Sequence, residues 1–495
     1  MRTLREDQSG ALARLRDAVG RGARRVMMQA PTGYGKTVLA AAIIGNALAK
    51  GKRVLFTVPA IALVDQTVES FWSQGIRDIG VIQAQHAMTD WSKPVQIASV
   101  QTLQKRNLPR ADVVLIDEAH KWFRFYEKWF LAEDWKNIPI IGLSATPWTK
   151  GLGRYYQELI VAGTTKAMID EGILSPFRVF APSHPDLKGV RTLAGDFHEG
   201  DLSDAMNKAP LIADVVTTWQ RLGEGRPTLC FAVDRAHAKH LQQQFEAAGI
   251  PCGYQDAHTT DSERKEIKRK FHNGEFRIVC NVGTLTTGVD WDVRCIIFAR
   301  PTKSRMLFVQ IAGRGLRTAP DKDYCLFLDH SDNHLRLGFV TDIHCDKLDD
   351  GKPQAVETQD RIALPKECPK CHFLKAPRTA KCPSCGFTCE IHSKVEFKEG
   401  RLEELQPKGS KAAKGWDKGA TFGQLKWIAN ERGYNDGWIS HKFRELFGTW
   451  PGPGTKSHPI SSPSPELASW VKSQQIRYAK RRRLVVAPQA IAEAL

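Results

Sequence analysis

The sequence predicts an α/β protein of two tandem parallel-sheet domains, followed by a cysteine-bearing ribbon and a small helical module. Three observations predict it. A chain of 495 residues exceeds what one ordinary core organises, so two large domains with additions are expected. Short apolar runs alternate with helix-period stretches from about residue 25 to 145 and again up to 329, the pattern of parallel strands covered by helices. Beyond about residue 340 that alternation stops and two Cys-x-x-Cys pairs take over.

In the first block, strands are expected at 26–29, 54–58, 97–100, 113–116 and 140–143, with a helix over 38–48 stopped near Gly51. Residues 150–202 have weaker periodicity and read as a connection. Strands are expected again at 228–232, 277–281, 295–299 and 324–329. The resulting division is a first domain at 1–165, a connection at 166–204, a second domain at 205–340, a ribbon at 362–392, a linker at 393–420, a helical module at 421–452, and a Pro/Ser-rich linker with a basic tail at 453–495.

Composition narrows the class. No run approaches the roughly 18 to 20 apolar residues of a membrane span, and residues 1–10 lack the apolar stretch of a secretory signal, so a cytoplasmic protein without a membrane partner is expected. A net charge of +17 favours a polyanionic partner, because each cation placed on a phosphate releases counterions; charge alone does not separate DNA from RNA. The run Lys480, Arg481, Arg482 and Arg483 reads either as part of that footprint or as a solvated tail. Six of the eleven cysteines, Cys230, Cys280 and Cys325 among them, lie singly in apolar segments and read as buried thiols.

Between an expected strand and an expected helix stands Ala30-Pro31-Thr32-Gly33-Tyr34-Gly35-Lys36-Thr37. Two glycines let the backbone turn its N–H groups inward, and the helix N-terminus adds partial positive charge, so the loop suits a triphosphate. Lys36 would neutralise the β and γ phosphates, and the Thr37 hydroxyl would ligate Mg²⁺. Ala30 stands where such loops commonly begin with glycine. About 80 residues on, the strand at 113–116 runs into Asp117-Glu118-Ala119-His120. A strand's C-terminal end brings both carboxylates beside the phosphate loop, with Asp117 placed for the metal and Glu118 for the attacking water.

These motifs, and their order over roughly residues 4–335, resemble superfamily-2 helicases of the D-E-A-H type, the DNA-directed branch with phage recombination helicases, repair translocases and restriction motors. The resemblance implies two RecA-like domains with ATP between them, Mg²⁺ as cofactor and DNA as partner, with RNA the alternative. It assigns Ser144-Ala145-Thr146 to coupling with His120, and Pro59, Gln66, Ser99, Gln101 and Thr102 to a nucleic-acid backbone. Gln8, in Leu4-Arg5-Glu6-Asp7-Gln8, would face adenine, with Asp7 where the family usually has an aromatic. In the second domain, Thr286-Thr287-Gly288-Val289-Asp290 is similar to the motif touching nucleic acid (Thr286, Thr287) and nucleotide (Gly288, Asp290). Gln310-Ile311-Ala312-Gly313-Arg314-Gly315-Leu316-Arg317 is similar to the arginine-finger motif. A spacing of three puts Arg314 and Arg317 on one helical face, where forked guanidinium groups suit a γ-phosphate.

Cys368, Cys371, Cys382 and Cys385 form two knuckles, the donor set of a closed structural Zn²⁺ site; His372 and Cys389 are rival ligands. The ribbon reads as a nucleic-acid contact through Lys370, Lys375, Arg378 and Lys381, or as a folding staple. Phe443, Leu446, Phe447 and Trp450 repeat at helical spacing as a core face. Trp122, Phe123, Phe125, Tyr126, Trp129 and Phe130 read first as core, then as stacking groups. Three rival functions remain open: a double-strand or restriction-type motor that does not unwind, an RNA helicase, and a non-catalytic zinc-ribbon scaffold.

Overall fold

The computed structural model describes residues 3–83, 85–286, 290–352, 364–377, 379–388 and 415–486, with side chains as far as 475. The chain forms two units, Met1–Glu390 and Ile391–Leu495.

The first unit holds two lobes. Lobe 1 is a parallel sheet of β1 (Arg25–Gln29), β2 (Val54–Val58), β3 (Ile79–Ile82), β4 (Val95–Ser99), β5 (Val113–Ile116), β6 (Ile140–Ser144) and β7 (Glu158–Val161), in the order β3-β4-β2-β5-β6-β1-β7. Every residue of β1, β2, β4 and β6 is buried, as expected where helices cover both faces. Lobe 2 contributes β8 (Phe177–Phe180), the hairpin β9 (Thr192–Leu193) and β10 (Asp196–Phe197), then β11 (Thr228–Phe231), β12 (Cys252–Gln255), β13 (Ile278–Asn281), β14 (Cys295–Phe298) and β15 (Cys325–Asp329). Its parallel sheet runs β12-β13-β11-β14-β15-β8.

The expected strands are all present, shifted by a residue or two. That at 97–100 begins at Val95 and ends at Ser99, whose hydroxyl caps the helix Val100–Leu103. The segment 166–204 is not a simple connection, because Phe177–Phe180 joins lobe 2 as an edge strand beside β15, while β7 closes lobe 1 beside β1. Both edge strands are only half covered and so lack a continuous apolar run. Two more strands carry glycines: a Cβ at Gly80 of β3 would collide with Asp90 O, and one at Gly253 of β12 would lie 2.8 Å from Phe276 Cδ2. Those close approaches break the β-branched pattern by which strands are read.

After lobe 2 the chain returns to lobe 1. The Gly151 and Gly153 N–H groups donate to Asp349 Oδ1 (2.9 Å) and Asp349 O (2.7 Å), and Arg154 Nε donates to Asp350 O (2.7 Å). Beyond it lies the cysteine ribbon, β16 (Lys366–Glu367) against β17 (Leu374–Lys375). The ribbon covers edge strand β8: Ala181 N donates to His372 O (3.0 Å), Arg178 Nη2 to Ser384 Oγ (3.1 Å), and Phe373 meets Phe180 edge-on at 5.3 Å. An exposed edge would otherwise offer free backbone groups. Lys375 is buried, with its ammonium on Ala380 O (3.0 Å), so it is not on the ribbon's basic surface; Lys370 and Lys381 are exposed and Arg378 lies outside the described residues. Of the expected buried thiols, Cys345 is only half-buried.

In the aromatic cluster, Tyr126, Trp129 and Phe130 are buried against the sheet and Trp122 stacks on Tyr155, which is core packing. The second unit is a helical module larger than 421–452. Helices Lys418–Arg432 and Asp436–Phe447, separated by left-handed Gly433, pack with Leu467 and Val471 of the helix Pro465–Val486, inside the stretch expected to be linker and tail. Phe443 and Leu446 are core there, but Gly448 ends the helix and leaves Trp450 exposed. No helix among the described residues is long and apolar enough to cross a membrane.

Candidate functional site

A cavity of about 640 Å³ opens between the lobes, lined by Thr32, Gly33, Gly35, Lys36 and Thr37, by Asp117, Glu118 and Lys121, and from lobe 2 by Asp290, Arg314 and Arg317. The loop after β1 reaches it because Gly33 (φ 86°) and Gly35 (φ 91°) adopt left-handed backbone; Gly35 then caps the helix Lys36–Leu48. Lys36 and Thr37 therefore stand in that helix's first turn, at its positive end.

Not all of the loop faces the cavity. Ala30 and Tyr34 have no exposed surface and Pro31 is buried, so these three anchor the loop. Gln8 braces the loop: its Nε2 donates to Tyr34 O (2.9 Å), its Oε1 accepts from Arg5 N (3.2 Å), and its side chain is buried against the loop. Arg5 donates to the same carbonyl (3.0 Å) and is held by Asp7 (3.0 Å). Asp7 thus occupies its unusual position as the clamp of a loop-bracing arginine.

At the end of β5, Asp117 N donates to Thr57 O (2.9 Å), and Asp117 Oδ1 accepts from Glu118 N (2.9 Å). Glu118 has φ 46°, rare for a residue with a Cβ, which turns its carboxylate into the cleft. Burial pushes Asp117 up to about 7; Glu118 adds to the rise and Lys36 opposes it. Such a carboxylate gains from a nearby cation.

His120 is buried, and burial holds it down at about 4 despite Glu118. It is therefore a neutral ring at neutral pH. Gln310 Nε2 donates to His120 Nε2 (3.2 Å), so the ring proton lies on Nδ1, which donates to Ser144 Oγ (2.9 Å). Ser144 Oγ also accepts from Thr146 N (3.0 Å), and Gln310 Nε2 reaches Thr146 Oγ1 (3.3 Å). The segments expected to couple thus meet, and Gln310 belongs to this contact between lobes, not to the cavity wall.

Arg314 is in the last turn of the helix Arg305–Gly315 and Arg317 lies just past its end. Burial and the neighbouring Arg317 bring Arg314 down to about 10, with Glu118 and Asp290 pulling the other way. Arg317 pairs with Asp290. The two lobes touch closely: a Cβ on Gly313 would lie 2.7 Å from Thr32 Cβ, and one on Gly33 would lie 2.7 Å from Leu174 Cδ2. A glycine inside an otherwise good helix is the sequence signal that could have flagged Gly313. Leu174 belongs to the segment read as a connection and carried no such signal.

The described residues assigned to nucleic acid differ in their surroundings. Pro59 and Gln66 line the nucleotide-sized cavity itself. Ser99 is buried as a helix cap, accepting from Thr102 N (3.2 Å), while Gln101 is exposed. Thr286 is buried with its hydroxyl on Gly283 O (3.0 Å); Thr287 and Gly288 lie outside the described residues.

The four ribbon cysteines bring their Sγ atoms within 4.8 Å of one another, with Cys368–Cys385 and Cys371–Cys382 both at 3.7 Å. A tetrahedron with bonds of about 2.3 Å has edges of about 3.8 Å, so the set fits Zn²⁺. His372 turns its Nδ1 to Glu367 (2.5 Å), and Cys389 lies outside the described residues.

Two outcomes follow from this geometry. A ring that titrates at about 6.5 unfolded and about 4 folded destabilises the fold as pH falls between those values, by about 2 kcal/mol at pH 5 relative to pH 7. Urea unfolding at both pH values should show a His120→Asn variant losing less on acidification by about that amount; equal losses would contradict the assignment. The purified chain should carry one zinc by metal analysis, and Cys382→Ser should lose it and lower the melting temperature, since the ribbon covers β8. Metal-free wild-type protein of unchanged stability would rule the zinc site out.

The family model described as "Type III restriction enzyme, res subunit" matches residues 2–149, and "Helicase conserved C-terminal domain" matches 208–319. A "51.5 kDa protein" of a Lactococcus phage is 28% identical over 414 residues, covering 79% of this chain and 87% of that one. A Saccharomyces cerevisiae protein whose name describes it as an ATP-dependent helicase, IRC3, is 29% identical over 352 residues; they cover 66% of this chain and about half, 51%, of that protein. A solved structure titled "ATP-dependent Type ISP restriction-modification enzyme LlaBIII bound to DNA" aligns with TM-score 0.49 and 20% identity over 66% of this chain and 28% of that one. The two domain matches fall one on each lobe, in this order, and are matches to a restriction-enzyme subunit and to a helicase C-terminal domain.

Proposed function

We propose that the protein is an ATP-driven DNA translocase that remodels or unwinds its substrate. One observation carries this reading: Lys36, Asp117 and Glu118 from lobe 1 and Arg314 and Arg317 from lobe 2 line one cavity. A triphosphate seated there meets cationic groups from both sides. The loop amides and Lys36 hold its phosphates, and Asp117 with the Thr37 hydroxyl would hold Mg²⁺, which neutralises phosphate charge when bound. Glu118 orients the attacking water, and the arginines take up charge spreading over the transferred phosphoryl oxygens. Loss of the γ-phosphate removes the anion that both lobes share. Their contact through Gln310, His120 and Thr146 then loosens, and alternating grips on a strand become steps.

DNA is the favoured track because the net charge of +17 calls for a polyanion and the lobe 1 match is to a restriction-enzyme subunit. That match also favours a second reading, movement along duplex DNA without strand separation. Phosphate release measured with single-stranded DNA, duplex DNA and RNA separates DNA from RNA, and forked-duplex against triplex-displacement assays separate unwinding from duplex travel.

Glu118→Gln should retain ATP binding and lower DNA-stimulated phosphate release by about 10² or more. Turnover at the wild-type rate would refute the assignment.

A further inference from the structure

Lobe 1 carries a second pocket that shares no residue with the nucleotide cavity, lined by Trp91, Gln104, Lys105, Arg106 and Asn107. Trp91 is 43% exposed, yet the loop bearing it is tightly held. Arg53 donates through Nη2 to Trp91 O (2.9 Å) and Lys93 O (3.1 Å) and through Nη1 to Ser92 O (3.2 Å). Gln96 Nε2 donates to Asp90 O (2.8 Å) and Lys93 O (2.9 Å), and Asp90 Oδ1 accepts from both Ser92 N (2.9 Å) and Ser92 Oγ (2.6 Å). Gly80 of β3 leaves room for Asp90 O where a Cβ would collide. The backbone is fixed from three elements while the indole faces solvent.

A backbone held in that way removes part of the ordering that stacking on the Trp91 ring would otherwise cost. The rest of the lining is two cations and two amides, with no carboxylate. This combination, a flat aromatic face flanked by positive charge, suits a base with its neighbouring phosphates. Bases in a duplex are already stacked and hide their faces, so the complementary ligand is single-stranded.

We propose that this pocket is a stacking site for single-stranded nucleic acid, with Trp91 against a base and Lys105 and Arg106 on the adjoining phosphates. It rests on the nucleic-acid reading above and adds a contact outside the motifs that suggested it. The pocket follows directly in the chain from the helix Val100–Leu103, whose Gln101 is exposed. A strand crossing that helix therefore has a place to continue.

The test uses the full chain without nucleotide and a fluorescent oligothymidylate of about 30 nucleotides, longer than the roughly 4–16 that a comparable stacking groove spans. Fluorescence anisotropy should show Trp91→Ala weakening single-strand binding about tenfold, with Trp91→Phe near wild type and duplex affinity little changed. Replacing Lys105 and Arg106 by Gln should flatten the salt dependence by about 1.4 in log–log slope, about 0.7 for each phosphate left without its cation. ATP turnover without nucleic acid should be unaltered in each variant. Wild-type affinity in Trp91→Ala, or an equal loss on duplex, overturns the stacking site alone. A wild-type chain that binds no nucleic acid overturns both this site and the motor.

Discussion

The structure depends on a constraint of charge. Lys36 on one lobe and Arg314 and Arg317 on the other line a single cleft, and Arg314 is buried enough that desolvation and its like-charged neighbour weaken its hold on its proton. Facing them, Asp117 is pushed up to about 7 by burial and by Glu118. Both perturbations have the same remedy, a ligand that brings phosphate oxygens to the guanidinium groups and a cation to the carboxylate. A metal-bound triphosphate is such a ligand.

Around that cleft the fold supplies rigidity on one side and a conditional joint on the other. The loop after β1 is anchored by buried Tyr34 and braced through its carbonyl by Gln8 and Arg5, which holds the direction of its backbone. The joint includes polar contacts centred on His120, Gln310 and Thr146, the close approach of Gly313 to Thr32, and that of Leu174 to Gly33, within a buried apolar cluster that holds residues of both lobes. The segment around Asp349 that returns to lobe 1 keeps the two lobes tethered by backbone hydrogen bonds.

Much of this was legible in the sequence for a physical reason: strand ends and phosphate loops are local. The loop glycines, Lys36, Asp117 and Glu118 are each fixed by their immediate neighbours, and parallel sheets bury both faces, so their strands read as apolar runs. What escaped was non-local. Phe177–Phe180 is short and half covered, and only the register with β15 makes it a strand of lobe 2. The resemblance assigns Gln8 to adenine and the loop pattern assigns Tyr34 to the ligand, whereas both side chains are buried and brace the loop. The helix Pro465–Val486 is hidden by the polar residues around it, since among its described residues Leu467 and Val471 are buried in the core and Trp470 packs against it. Trp450 fell on the expected apolar stripe, but Gly448 ends the helix before it.

A triphosphate bound in the cleft would join the lobes through the two arginines. This is tested most directly by the distance between a spin label on each lobe, measured with and without a non-hydrolysable ATP analogue and Mg²⁺. The analogue should narrow the distance distribution of the wild-type chain and leave that of an Arg314→Ala, Arg317→Ala variant unchanged, although the variant still binds the analogue through lobe 1. Equal narrowing in both proteins would contradict it.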